Sequence, residues 1–433
     1  MKKFFAVILA CLTLLCTAVT SDAVDGSVLD RYIYSANKSS RAIGLYQDDG
    51  SILFLLQESD HANANALKEL IDSDDEKTIV LPKETINIDQ TLHIGSNTTI
   101  IATGATVYET QEKALLLNER PVNNITIKGG KWLTDIVEKG EYFENTIIRF
   151  IHSENITLDG VSVNTSYIGH ALEFVACKNC KAANSKFLAT GKTKANSIEE
   201  AVQMDVAVPK TSPSVLRIFG SDYVQGQTCK NISFKNCEIY GSRGISTNKT
   251  DSEGKKWLSK HHSGITIENC KITGTTSEAM ALHNALNVKV KNCTVNSKDK
   301  RLKTTYSIGI NVSSFGNSSE KKNSTVTITG NTVNGGRQGI YVGSYNSKQK
   351  SKKVTIKDNK KVVSKFKYKK SSVRNYYNKF KQGPANSAIF VSYAKKVVIT
   401  GNKTYTKHGK KNSIHCEHCK SKTVKGNKAR TKK

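Results

Sequence analysis

Proline is nearly absent, five residues in a chain of 433. That excludes polyproline linkers and collagen-like segments, which need it in quantity. Heptads are missing, and no long stretch keeps a helical period, so coiled coils and helical repeats are excluded. Beyond residue 19 no apolar run is long enough to cross a bilayer, so no membrane span is expected. Acidic residues are also short, 37 Asp and Glu against 65 Lys and Arg, for a formal net charge of +28. The shortage is local: from Ser344 to Lys433 there are 27 Lys or Arg and two acids, Asp358 and Glu417. A field of that sign draws polyanions and weakens with salt. No nucleic-acid recognition motif accompanies it, so no specific nucleic-acid partner is expected.

What is present is a phrase that returns. Asn155–Val163 reads NITLDGVSV, Asn231–Ile239 NISFKNCEI, Gly264–Ile272 GITIENCKI and Asn287–Val295 NVKVKNCTV. Weaker copies lie at Asn124–Trp132, Asn179–Phe187, Thr325–Val333, Lys353–Lys361, Lys396–Thr404 and Ser421–Ala429. The spacing is roughly 23 to 43 residues with one wider gap, the range of repeat architectures. Within each copy apolar residues alternate with polar ones, as Ile156 and Leu158 do with Thr157 and Asp159, which is the period of a strand. A turn pair follows: Asn-Cys, Gly-Asn or Asp-Asn. Cys237, Cys270 and Cys293 hold one equivalent position, and Asn331, Asn359, Asn402 and Asn427 hold it later, where stacked amides can pair along an axis. A second short strand precedes most copies, as at Ile148–Ile151, Leu172–Val175, Met280–His283 and Ile389–Ser392. A unit this small cannot bury its own face, so the units must stack. The expected fold is an all-β, right-handed parallel β-helix with a short N-terminal capping helix at His61–Ile71.

The expected organisation is a signal peptide over 1–23, a cap region over 24–89 and coils over 90–429. Loop insertions fall at 188–228, 247–261 and 363–386, and 344–433 forms strongly basic coils. A basic start, an apolar run and Ser21-Asp22-Ala23 give residues 1–23 their secretory character, so the protein is expected to be secreted or wall-associated. Eight Cys remain after the leader. The repeat register accounts for Cys177, Cys180, Cys416 and Cys419 without a metal, so no metal site is expected.

Strand register puts a polar row on one outer face: Arg149, Glu173, Gln203 with Asp205, Ser246, His283, Asn311, Tyr341, then Ser392 and His415. Gln203 and Asp205 lie two apart on a strand and share a face, and both are candidate catalytic residues. Glu200, Asp222, Arg243, His261 and His262 stand in or beside flanking loops. Glu173, Glu200, Asp205 and Asp222 could supply the two carboxyls of glycoside hydrolysis. Arg243, His261, His262 and His283 could supply the base or cation of β-elimination on a uronic acid. Arg149, Asn311 and Tyr341 are candidate substrate contacts, as are Tyr376 and Tyr377 in the basic aromatic insertion.

The segments ALKELIDSDDEKTIVLPKETINI, GHALEFVACKNCKAANSKF, EEAVQMD, FGSDYVQGQTCKNISFKNCEI, RGISTN and HHSGITIENCKI resemble bacterial extracellular β-helix proteins of the pectate-lyase-like superfamily. The resemblance covers residues 60 to 300 in detail and the rest by repeat style. It implies the fold, and polysaccharide as the substrate class. It does not carry a mechanism across. The Asp-rich calcium site and catalytic Arg of pectate lyases find no counterpart, and Gly169-His170-Ala171 stands where polygalacturonases have Gly-His-Gly. No cofactor is required; calcium would suit lyase chemistry but has no motif here. The function expected is that of a lyase or glycosidase acting on an acidic polysaccharide, as a monomer. The alternative is a non-catalytic protein that binds or adheres to a cell-wall polyanion.

Overall fold

The computed structural model describes residues 30–35, 41–111, 114–134, 146–165, 169–190, 200–210, 212–248, 259–298, 307–316, 322–344, 350–365, 387–407 and 413–431. Tyr376 and Tyr377, most of the 363–386 insertion and the expected leader over 1–23 lie outside them. The described chain winds into a rod with three sheets of sixteen, twelve and eleven strands, here sheets I, II and III. Each coil runs from sheet I through a two-residue turn to sheet II, then through a longer connection to sheet III. In one coil those strands are Glu154–Asp159, Ser162–Thr165 and Leu172–Val175. Neighbouring coils pair in parallel and in register, Ile125 beside Ile156 and Trp132 beside Val163.

The alternating pattern does what it should. Ile156, Leu158, Ile232, Phe234, Ile265 and Ile267 are all fully buried, and one hydrophobic core runs the length of the rod. The turn dipeptide divides its labour. Its first member sits in the left-handed region: Gly160, Asn184, Asn236, Asn269, Asn292, Gly330, Asp358, Gly401 and Gly426 all have positive φ. Only Gly, Asn or Asp adopts that conformation cheaply. Its second member points inward and stacks. Asn331 Nδ2 donates to Asn359 Oδ1 (2.9 Å), Asn359 to Asn402 (2.7 Å) and Asn402 to Asn427 (2.8 Å). Further back the backbone N–H of Cys237 points at Cys270 Sγ and that of Cys270 at Cys293 Sγ, each at 3.4 Å.

Helix α1, Asp60–Ile71, is capped by Ser59 and buries Ala66, Leu67, Leu70 and Ile71 against the first coil. That coil begins at Lys77–Val80 and closes through Thr85–Ile88 and Leu92–His93, upstream of the boundary read at residue 90. Ahead of it, Tyr32–Tyr34, Ala42–Tyr46 and Ile52–Phe54 form an antiparallel extension of sheet I.

The 188–228 insertion is not one loop. Glu200–Asp205, inside it, is a sheet III strand with all six residues buried. After it, Pro213–Phe219 forms a second helix, α2, followed by a 3₁₀ turn at Ser221–Val224. Val215 and Val224 pack on Ile151, Val175 and Ala176, so this arm folds back over sheet III.

Candidate functional site

Sheet III carries the polar residues in two parallel rows. In the first, Arg149 pairs with Glu173, Glu173 with Gln203, Gln203 with Ser246, then Ala281, Asn311, Tyr341, Phe390 and His415 follow. The second lies two residues further along each strand. Asp205 stands there beside Val175, and His283 beside Ser313. Glu173 and Asp205 are therefore on adjacent rungs and on one face, offset by one row.

Arg149, Glu173, Gln203 and Asp205 are 4 to 8 % exposed under the α2 arm. Arg149 Nε lies 2.8 Å from Glu173 Oε2, and its guanidinium donates to Ser214 of α2 at 2.6 Å. Gln203 Nε2 donates to Asp205 Oδ1 at 2.5 Å. Burial pushes the Asp205 carboxyl well above the usual range; the Glu173 charge adds to the rise, and the Gln203 bond opposes it. Asp205 thus holds its proton where an exposed carboxyl would not. Gln203 Oε1 is buried, and no donor reaches it among the described residues. Burial opposes protonation of His170, but the Glu173 and Glu200 charges outweigh it and raise its pKa. Its Nδ1 lies 2.7 Å from the Glu200 carbonyl oxygen.

A second buried cluster adjoins on the next rungs. Arg243 donates to Glu200 Oε1 (2.5 Å) and to Glu278 Oε2 (3.1 Å), Ser277 Oγ donates to Glu278 (2.5 Å), and Asn311 Nδ2 donates to its other oxygen (3.4 Å). Asn311 Oδ1 is buried and, among the described residues, has no donor.

Several expected residues stand elsewhere. His262 starts a sheet I strand and is fully buried, with Nδ1 accepting from the Cys229 backbone N–H at 3.1 Å. Burial drives its pKa down to about 3, so it is neutral packing and not a catalytic acid. His261 is held by the Ser259 carbonyl at 2.8 Å, at the entry to the same sheet. Asp222 is exposed on the 3₁₀ turn of the arm, outside both rows. Tyr341 is 1 % exposed and stacks on Phe390, with ring centroids 5.4 Å apart, so it offers no face to a sugar. Arg243 is held by two carboxylates and is no free base. His283 sits in the second row with Ser313 Oγ at 2.9 Å.

Sequence reasoning missed Glu278, Ser214 and the role of His170. A signal existed for the first. Glu200, Arg243 and Glu278 each stand two residues ahead of the first inward residue of a sheet III strand, Val202, Ile245 and Met280. Among the described residues, no group of three His, Cys, Asp or Glu side chains converges as metal ligands would.

No family model matches the chain, and no curated protein does. Solved structures do. The surface adhesin PfbA of Streptococcus pneumoniae is similar with a TM-score of 0.56 and 16% identity, over 85% of this chain and 86% of that one. A hyperthermoactive exopolygalacturonase from Thermotoga maritima is similar with a TM-score of 0.50 and 11% identity, over 86% of each chain. At these identities the likeness establishes the fold, a right-handed parallel β-helix, and leaves the chemistry to the site.

Proposed function

We propose that this β-helix is an exported enzyme that hydrolyses glycosidic bonds of an acidic polysaccharide on sheet III, with Asp205 as proton donor. One observation carries the reading. The buried Asp205 carboxyl, whose pKa burial raises, accepts from Gln203 Nε2 at 2.5 Å, and the Gln203 Oε1 beside it is buried and lacks a donor among the described residues. A sugar hydroxyl would satisfy the amide and bring a glycosidic oxygen to the acid. In hydrolysis Asp205 gives its proton to the leaving oxygen, and Glu173 on the adjoining rung is the opposing carboxylate that activates water or attacks the anomeric carbon. Two carboxyls held in different environments by burial and by Arg149 suit those two roles. β-Elimination fits less well. Of the groups read for it, Arg243 is committed to Glu200 and Glu278, and His262 is buried inside sheet I.

The test is a panel of acidic and neutral glycans scored for new reducing ends and for unsaturated ends. Reducing ends alone are expected. Asp205→Asn should lower turnover by about 10²- to 10⁴-fold with the fold intact. Activity should fall as pH rises through the elevated Asp205 pKa, because only the protonated carboxyl can donate. Unsaturated ends, or turnover unchanged in Asp205→Asn, would remove this mechanism.

A further inference from the structure

In the last coils lysines stack on lysines along one corner of the rod. Lys361 immediately precedes Val362, which pairs with Thr404; Lys403, immediately before Thr404, pairs with Lys428. These three flank the stacked asparagine turn on its sheet II side. On the sheet I side Lys357 pairs with Thr400, and Thr400 with Lys425. All five lysines are exposed. Lys357 has a partial partner in Asp358 at 3.4 Å. Lys361, Lys403, Lys425 and Lys428 enter no ion pair among the described residues.

The same column is built differently further back. There Lys186 pairs with Glu238 and Glu238 with Lys271, with Lys271 Nζ 2.6 Å from Glu238 Oε1. Register neighbours of opposite charge stabilise a sheet, and like charges destabilise it. A run of like charges with rungs about 4.8 Å apart therefore leaves a repulsion that an external anion can relieve. The run is linear and parallel to the axis, so the anion that fits it best is itself linear.

We propose that this corner is a docking track for a linear acidic polysaccharide, with carboxylates of successive sugars meeting successive lysine rungs. A rung is close to one sugar in length. The cations are lysines, compact point charges that follow an irregular line of carboxylates, and not the planar forks that arginine offers phosphate. No aromatic ring occupies these corner positions, so the stacking platform on which single-stranded nucleic acids depend is absent from the described residues there. The corner lies across the rod from sheet III, so the track anchors a polymer and does not deliver it to Asp205. The choice of a polysaccharide rests on the function proposed above; the preference for a linear polyanion does not.

The experiment is electrophoresis of the full chain through gels containing polygalacturonate, at low and at high salt. The variant Lys361→Gln/Lys403→Gln/Lys428→Gln should lose retention at low salt by tenfold or more. The control Lys131→Gln/Lys181→Gln/Lys230→Gln, which removes three exposed lysines from the earlier coils, should change it by less than twofold. Equal losses in the two would overturn the track, since net charge alone would then explain retention. Tighter retention by a gel containing a single-stranded oligonucleotide of matched charge would overturn the polysaccharide. Asp205→Asn should keep wild-type retention whether or not turnover occurs; retention lost in that variant would place the polymer on sheet III and sink the track. A failed hydrolytic mechanism thus shows as turnover without effect on retention, and a failed track as the reverse.

Discussion

The coils before Cys293 and those after Asn331 share a backbone and differ in nearly everything polar. In the first set the sheet III rows carry Arg149, Glu173 and Asp205, and Glu200, Arg243 and Glu278 stand ahead of those rows, all buried and mostly paired. In the second the same face carries Tyr341, Phe390 and His415 in a stack, with centroids 5.4 Å apart at each step. In the first set outer lysines find acids, as Lys289 finds Glu268 and Lys271 finds Glu238, both at 2.6 Å, whereas in the second Lys353 pairs with Lys396 and Lys403 with Lys428. The turn column changes from thiol to amide at the same boundary. A solenoid tolerates such a division because each coil contacts only its neighbours. Charge has gone inside where chemistry is proposed, and outside where attachment is.

The comparison breaks most readily at the buried charges. Arg243→Met leaves Glu200 and Glu278 buried without their cation, and removing one partner of such a group costs about 3–5 kcal/mol. Thermal unfolding of the variant should show it, and hydrogen exchange should place the loosened amides in the early coils while those after Asn331 stay protected. Uniform loosening along the whole rod would mean that the two sets are not separable.

The turn column gives the next largest contrast. Asn359 is fully buried, accepts from both the backbone and the side chain of Asn331, and donates to Asn402. Asn359→Ala leaves a buried N–H unpaired, at about 1–3 kcal/mol. Cys270→Ala at the equivalent place removes a weak sulfur acceptor and a small apolar volume, and should cost about 1 kcal/mol or less. Chemical denaturation of the two variants measures the difference. A costlier Cys270→Ala would mean that the thiol column is the stronger ladder.

Much of this was legible in the letters, for a physical reason. The period of two, the left-handed turn residue and the inward Cys or Asn are imposed coil by coil, so ten copies of the phrase repeat one message. Helix α1 was also legible, in the stretch His61–Ile71, though its Ser59 cap was not read. What escaped was whatever occurs once. The α2 arm has no copy among the described residues, and its Ser214 holds the buried Arg149. Tyr341 looked like a sugar platform because outward position on a strand says nothing about what covers it. His261 and His262 looked reactive as a pair, but register places His262 on the inward side of sheet I. The offset of Asp205 and His283 from the Glu173 row by two residues follows from strand pairing, which a single chain does not display.

The smallest effect tests the comparison most directly, because it exchanges the two charge patterns at one position each. Lys403→Glu would turn the Lys361–Lys403–Lys428 run into the alternating order found at Lys186–Glu238–Lys271, and Glu238→Lys would do the opposite. Exposed register pairs are worth only a few tenths of a kcal/mol, so the first should raise the unfolding midpoint slightly and the second lower it, both fading with salt. The two variants leave the core untouched, and any difference between them therefore reports on the columns alone. Lys403→Glu should also release polygalacturonate while it gains stability. A surface kept less stable than one substitution would make it is a surface whose charge serves a partner. If Lys403→Glu gained nothing at low salt, the lysine run would carry no repulsion, and there would be no strain for a polyanion to relieve.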